Sequence, residues 1–129
     1  MSESFDPRPA AELRARTWRS GVQLTEWPAA IRPATLSQGY DIQDVLVALL
    51  GEAVAGWKLG VGSTRQKKES GVGRSIAGRV LRSSLFRHGD VVPLPGSSPS
   101  TIEIEIAYVL GRDIRPEGGD FRSWKPQAR

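Results

Sequence analysis

The 129-residue chain contains no cysteine. Disulfide stapling, thiolate catalysis and cysteine-ligated zinc are therefore all excluded. Histidine occurs once, as His88. In a His88-Gly89-Asp90 turn it reads as a polar turn residue rather than a catalytic base. Long apolar runs are missing too: the longest aliphatic stretch, Val45 to Leu50, is far too short to span a bilayer. Met1 to Pro7 lacks a basic stretch followed by an apolar one, so no leader is expected and the location expected is cytoplasmic, with no membrane partner. The chain has no G-x-x-x-x-G-K-[ST] phosphate loop, no G-x-S-x-G and no internal repeat.

What is present fits one modest domain. The formal net charge of +4 is unevenly spread. Seven basic residues (Arg65, Lys67, Lys68, Arg74, Arg79, Arg82 and Arg87) stand against Glu69 alone between positions 65 and 87. Such a segment can meet nucleic acid, draw in a small anion, or simply form a solvated face. Nucleic acid is disfavoured, because Phe86 is the only aromatic there to stack on a base.

The helices come first. Pro7 and Pro9 lead into a short helix over residues 10–19, built from good helix formers and ended by Gly21. Thr35 and Gln38 stand at capping-box spacing before a stronger helix, in which Leu36, Tyr40, Gln43, Val47 and Leu50 recur at steps of three or four and Gly51 is the stop. The period then changes to two. In residues 53–62, Trp57, Leu59 and Val61 alternate with Lys58, Gly60 and Gly62, which predicts a strand whose lysine shares a face with glycines. A ligand or another backbone approaching that face would desolvate Lys58, lower its pKa and suit it to proton transfer. The alternative is a lysine snorkelling from an edge strand. Ser63 is placed to cap a short helix over Thr64 to Ser70, closed by Gly71. Val72 to Ser84 reads as irregular loop with short strands, and Val91 to Pro95 as an edge strand.

The stretch from Thr101 to Asp113 organises the rest. Ile102, Ile104, Ile106, Tyr108 and Leu110 alternate with Glu103, Glu105, Ala107 and Val109, which predicts a strand whose second face turns from carboxylate to apolar. Residues i and i+2 on a strand stand about 6.6 to 6.8 Å apart, close enough for two glutamates to converge on one cation. An all-oxygen pair suits Mg²⁺ or Mn²⁺ rather than zinc. A solvated strand face bearing two glutamates has the same pattern.

Taken in order, Arg32-Pro33, the helix with Tyr40 and Gln43, Gly56-Trp57-Lys58-Leu59-Gly60, Gly71-Val72, Ile76-Ala77-Gly78, Gly89-Asp90-Val91-Val92 and Ile102-Glu103-Ile104-Glu105-Ile106-Ala107-Tyr108-Val109-Leu110-Gly111-Arg112-Asp113 resemble the 2-keto-4-pentenoate hydratase branch of the fumarylacetoacetate hydrolase family. The likeness covers about residues 10–114. It implies an α+β fold, with N-terminal helices followed by part of a mixed β-sheet or roll of the fumarylacetoacetate hydrolase type, incomplete at the C-terminus. Residues 1–9 are then a flexible lead and residues 115–129 a polar tail.

The resemblance further implies a hydratase of aromatic-compound breakdown, or a related decarboxylase or C–C hydrolase, acting on a small anionic 2-oxo or 2-hydroxydienoic acid. Glu103 and Glu105 match metal ligands for Mg²⁺ or Mn²⁺, Lys58 the lysine near the substrate, and Leu59 and Gly60 substrate-binding positions. Two departures stand out. Gly73-Arg74 replaces an acidic residue that many relatives carry after the first Gly-Val, and the third carboxylate ligand is missing, with Asp113, Glu117 and Asp120 left as candidates. A truncated or frameshifted product is expected, working as a homo-oligomer or with a chain that supplies the missing half, or surviving only as a remnant or interaction module.

Overall fold

A computed structural model describes residues 5–94 and 99–112. Its regular elements are three α-helices, two short 3₁₀ turns and a two-stranded antiparallel sheet, an α+β arrangement.

Helix α1 spans Arg8–Ser20. Pro9 lies in its first turn, where a missing N–H costs nothing, and Asp6 accepts from the Arg8 N–H at 2.9 Å. Gly21 ends it with φ of 67°, a left-handed conformation cheap for glycine. Helix α2 spans Leu36–Leu50 and carries the expected capping box. The Thr35 hydroxyl accepts from Gln38 N–H at 3.2 Å, and the Gln38 side chain accepts back from the Thr35 N–H at 3.3 Å. Gly51, at φ 69°, stops it and donates its N–H to the Val47 carbonyl. The two helices meet at Ala10, Ala11 and Ile42, with Phe5, Trp27, Ile31, Val45, Leu46 and Leu49 packed around them. Alanines on α1 let the helices approach closely, so a single large side chain, Ile42, fills the contact. Phe5 joins this core, ahead of the helix start expected at residue 10.

Strand β1 spans Val54–Gly60 and β2 spans Ile76–Leu81, with Lys58 opposite Gly78 and Trp57 opposite Arg79. β2 falls inside the stretch expected to be irregular loop with short strands. Its alternation is diluted by Ala77, Gly78 and Arg79, so pairing with β1 rather than hydrophobic period decides it. Between the strands lies α3, Thr64–Ser70, capped by Ser63 and closed by Gly71 as expected. β1 ends at Gly60, because Val61 turns left-handed at φ 56°, an uncommon conformation for a β-branched residue. The apolar face of β1 is not covered: Trp57 and Leu59 are exposed. The His88 turn forms, with the Asp90 side chain accepting from the Arg87 N–H at 2.7 Å and Gly89 at φ 91°.

Two expected strands are absent. Val91 to Leu94 forms none, and Pro95 lies outside the described residues. Thr101 to Leu110 is not a strand either, and Asp113 lies outside the described residues. Its isoleucines face solvent, Ile104 at 97% exposure. Alternation decides which side chains would share a face, whereas a strand exists only when a neighbouring backbone takes up its N–H and C=O groups. Among the described residues the sheet stops at two strands, and neither pairs with this segment. No helix among the described residues is long and apolar enough to cross a membrane.

Candidate functional site

The site is assembled from two pieces of chain far apart in sequence. β1 presents Lys58, and the segment from Thr101 to Leu110, which forms no regular element, presents Glu103 and Glu105. Lys58 Nζ lies 2.8 Å from Glu103 Oε2 and also donates to Glu105 Oε1. Both carboxylates therefore converge on one positive centre, the arrangement that i and i+2 spacing on an extended backbone permits. Gly60 and Gly78 keep the surroundings open, since a Cβ at either would meet only a backbone oxygen at 3.9 Å.

The expected direction of the Lys58 pKa is overturned. Its ammonium is held above the ordinary lysine value, first by the hydrogen bond to Glu103 and then by that to Glu105, which outweigh the desolvation that opposes them. The reason is geometric: the lysine is half-exposed and has two anionic acceptors, so its charged form is favoured. Glu103 is correspondingly held below the usual carboxylate range by its hydrogen bond with Lys58. At neutral pH this is an ammonium between two carboxylates, suited to donating hydrogen bonds rather than to accepting a proton.

Leu59 and Gly60 follow Lys58 on the same strand. Gly60 shares the Lys58 face, whereas Leu59, at 66% exposure, belongs to the opposite one by the two-residue period. Asp113, Glu117 and Asp120 lie outside the described residues. Among the described residues no group of three or more His, Asp or Glu is placed to hold a metal. The donor set nonetheless fits a hard cation: Mg²⁺ is commonly held by one or two carboxylates and completes its shell with water and substrate oxygens. An open groove of about 780 Å³, lined by Arg14, Trp18, Phe86 and Val92 among others, lies elsewhere and includes none of these residues.

One group of residues was not singled out for a role by sequence reasoning. Gln43 on α2 accepts from the Arg79 N–H at 2.7 Å and donates to the Ala77 carbonyl at 3.2 Å, while the Tyr40 hydroxyl accepts from the Ala77 N–H at 3.0 Å. Arg79 pairs with Asp44 and lies 5.0 Å over the Trp57 ring. The available signal was a pair of polar side chains, three residues apart, on a largely apolar helix.

Comparison with known proteins gives the class. The chain is 32% identical over 112 residues to a protein of Pseudomonas putida named TodF product hydratase, covering 83% of this chain and 41% of that one. It is 36% identical over 116 residues to a 2-keto-4-pentenoate hydratase of Paraburkholderia phymatum, covering 87% and 44%. A 2-keto-4-pentenoate hydratase of Paraburkholderia xenovorans is 26% identical over 111 residues. These are hydratases, and the chain is homologous to them over most of its own length. In particular, it is a relative of the 2-keto-4-pentenoate hydratases that spans less than half of their length. No family model matches the chain, and no solved structure matches it significantly.

Proposed function

We propose that the chain supplies the lysine and paired carboxylates of a hydratase that adds water to a 2-hydroxy-2,4-dienoate or its 2-oxo-enoate tautomer, giving a 4-hydroxy-2-oxo acid. The observation that carries this reading is the convergence of Glu103 and Glu105 on Lys58 in a relative of named hydratases. The full fumarylacetoacetate hydrolase-type sheet, and a role in aromatic-compound breakdown in the cytoplasm, belong to the same proposal. So does pairing, either with another copy or with a chain that supplies further site residues.

Glu103 and Glu105 are the residues that would hold Mg²⁺ or Mn²⁺. When bound, such an ion acts as a Lewis acid towards a substrate carboxylate and its adjacent oxygen. An ion held by Glu103 and Glu105 would share these carboxylates with the Lys58 ammonium, which now bridges both. Lys58 donates a hydrogen bond to an anionic substrate oxygen or orients the attacking water. Ketonisation of the dienoate removes the enol proton, protonates C5 and leaves a C3–C4 double bond; the water's hydroxyl then adds to C4 and its proton to C3. Gly60 leaves room on the Lys58 face, whereas Leu59, on the opposite face of β1, would meet a substrate only through its backbone. The basic stretch from Arg65 to Arg87 favours approach of the anionic substrate.

The test is calorimetric titration of Mg²⁺ and Mn²⁺ into the chain and into the Glu103→Gln/Glu105→Gln double variant, followed by a dienoate hydration assay. Binding in the wild type that is lost in the variant is expected. A folded chain that binds neither ion would sink the proposal. A second reading, a non-catalytic interaction module, is favoured by the exposed Ile102, Ile104 and Ile106. It expects the double variant to change association or stability and nothing else.

A further inference from the structure

We infer that Gln43 and Tyr40 are positioning residues for Lys58, acting as a surrogate third strand that clamps β2 from helix α2. The clamp grips the two residues that flank the one across from the lysine. Gln43 bonds both the Ala77 carbonyl and the Arg79 N–H, and Tyr40 takes the Ala77 N–H. Between those residues sits Gly78, the register partner of Lys58. A carboxamide that donates and accepts at once reproduces what a neighbouring strand's backbone would offer, so the outer edge of β2 is satisfied without a strand.

The grip extends to β1. Arg79, whose N–H Gln43 holds, pairs with Asp44 on the same helix and stacks on Trp57, the residue preceding Lys58. Gly78 has no side chain that could fix the register by packing. A two-stranded ribbon is marginal in isolation, and a one-residue slip would send Lys58 to the opposite face, away from Glu103 and Glu105. These partly buried bonds between α2 and β2 therefore fix the ammonium's place at the site. The inference rests on the lysine and carboxylate site itself and is independent of whether that site hydrates a dienoate.

The test is zero-length cross-linking with a water-soluble carbodiimide, which activates a carboxylate so that a touching amine displaces the urea and forms an amide. The yield of the Lys58 link to Glu103 or Glu105 is read by peptide mass spectrometry. The wild type is expected to form the link, and Gln43→Leu to lose most of it while circular dichroism shows the helices retained. Tyr40→Phe, which removes one bond and keeps the ring, is expected to lose a smaller part, and it carries the test if Gln43→Leu does not fold. Thr35→Ala weakens α2 at its cap without touching β2, and should keep the wild-type yield. Equal yields in the wild type and the clamp variants, or an equal fall in Thr35→Ala, would overturn the inference. No link in the wild type would remove the site itself, a different failure from either of these.

Discussion

Ile42 and Ile104 are the same residue type in opposite situations: one is 5% exposed between two helices, the other 97% exposed in a segment without regular structure. The helical region from Arg8 to Leu50 satisfies its own backbone, because each helix closes its hydrogen bonds within itself and needs a neighbour only for its apolar stripe. The segment from Thr101 to Leu110 has strong alternation and high β propensity but no partner edge among the described residues. Patterning therefore yields regular structure in one region and none in the other. Among the described residues, the polar contacts that tie this segment to the rest of the fold are the two Lys58 bridges.

The contrast can be broken most directly at those two isoleucines. Ile42→Ala is expected to destabilise the fold by about 2 to 5 kcal/mol, as for other large-to-small changes in a core. Ile104→Ala should stay within about 0.5 kcal/mol, as surface changes do. Urea unfolding of both variants measures this, and comparable losses would show that the segment from Thr101 to Leu110 is packed in solution after all. Next in size, Thr35→Ala should cost about 1 kcal/mol by removing one half of the α2 capping box. A melting curve unchanged from wild type would show that the helix holds through packing alone.

The smallest effect sharpens the other side of the comparison, the attachment of the segment by charge. Glu103 is held below the usual carboxylate range, so its contribution is complete above that range and is lost only as pH falls through the lowered folded value. Lys58 is held above its ordinary value, so its contribution is complete below that value and is lost as pH rises through the raised one. Chemical shifts of the Glu103 and Lys58 amides should therefore stay flat across the neutral range, and added salt should weaken the attachment, since both partners are largely exposed. An acid transition centred at the ordinary carboxylate value would mean that the bridge is not populated.

The helices were legible because their signals are local. Thr35 with Gln38, Ser63 with Gln66, and glycines at positions 21, 51 and 71 each mark an end by a bond or a backbone conformation made within a few residues. The residues of the candidate site were legible as residue types at a spacing, Glu103 two before Glu105 and Lys58 among glycines. Their relation was not. That Lys58 bridges both glutamates, and that its pKa rises rather than falls, depends on approach between positions more than forty residues apart. The β2 strand and its clamp by Tyr40 and Gln43 were obscured for the same reason, since Ala77-Gly78-Arg79 carries little strand signal of its own.

Residue order alone placed both ends of α2 and α3, the glycine stop of α1, β1 with Lys58 on it, and the kinship of the chain, because capping, period and residue identity are properties of neighbouring positions; α1 begins at Arg8, two residues ahead of its expected start. The tertiary structure alone set the pairing of Ile76–Leu81 with β1, the bonds from α2 to Ala77 and Arg79 on the outer edge of that pair, and the failure of Thr101 to Leu110 to become a strand. A strand's hydrogen bonds belong to two pieces of chain at once, and no single stretch of sequence states whether the second piece will be there.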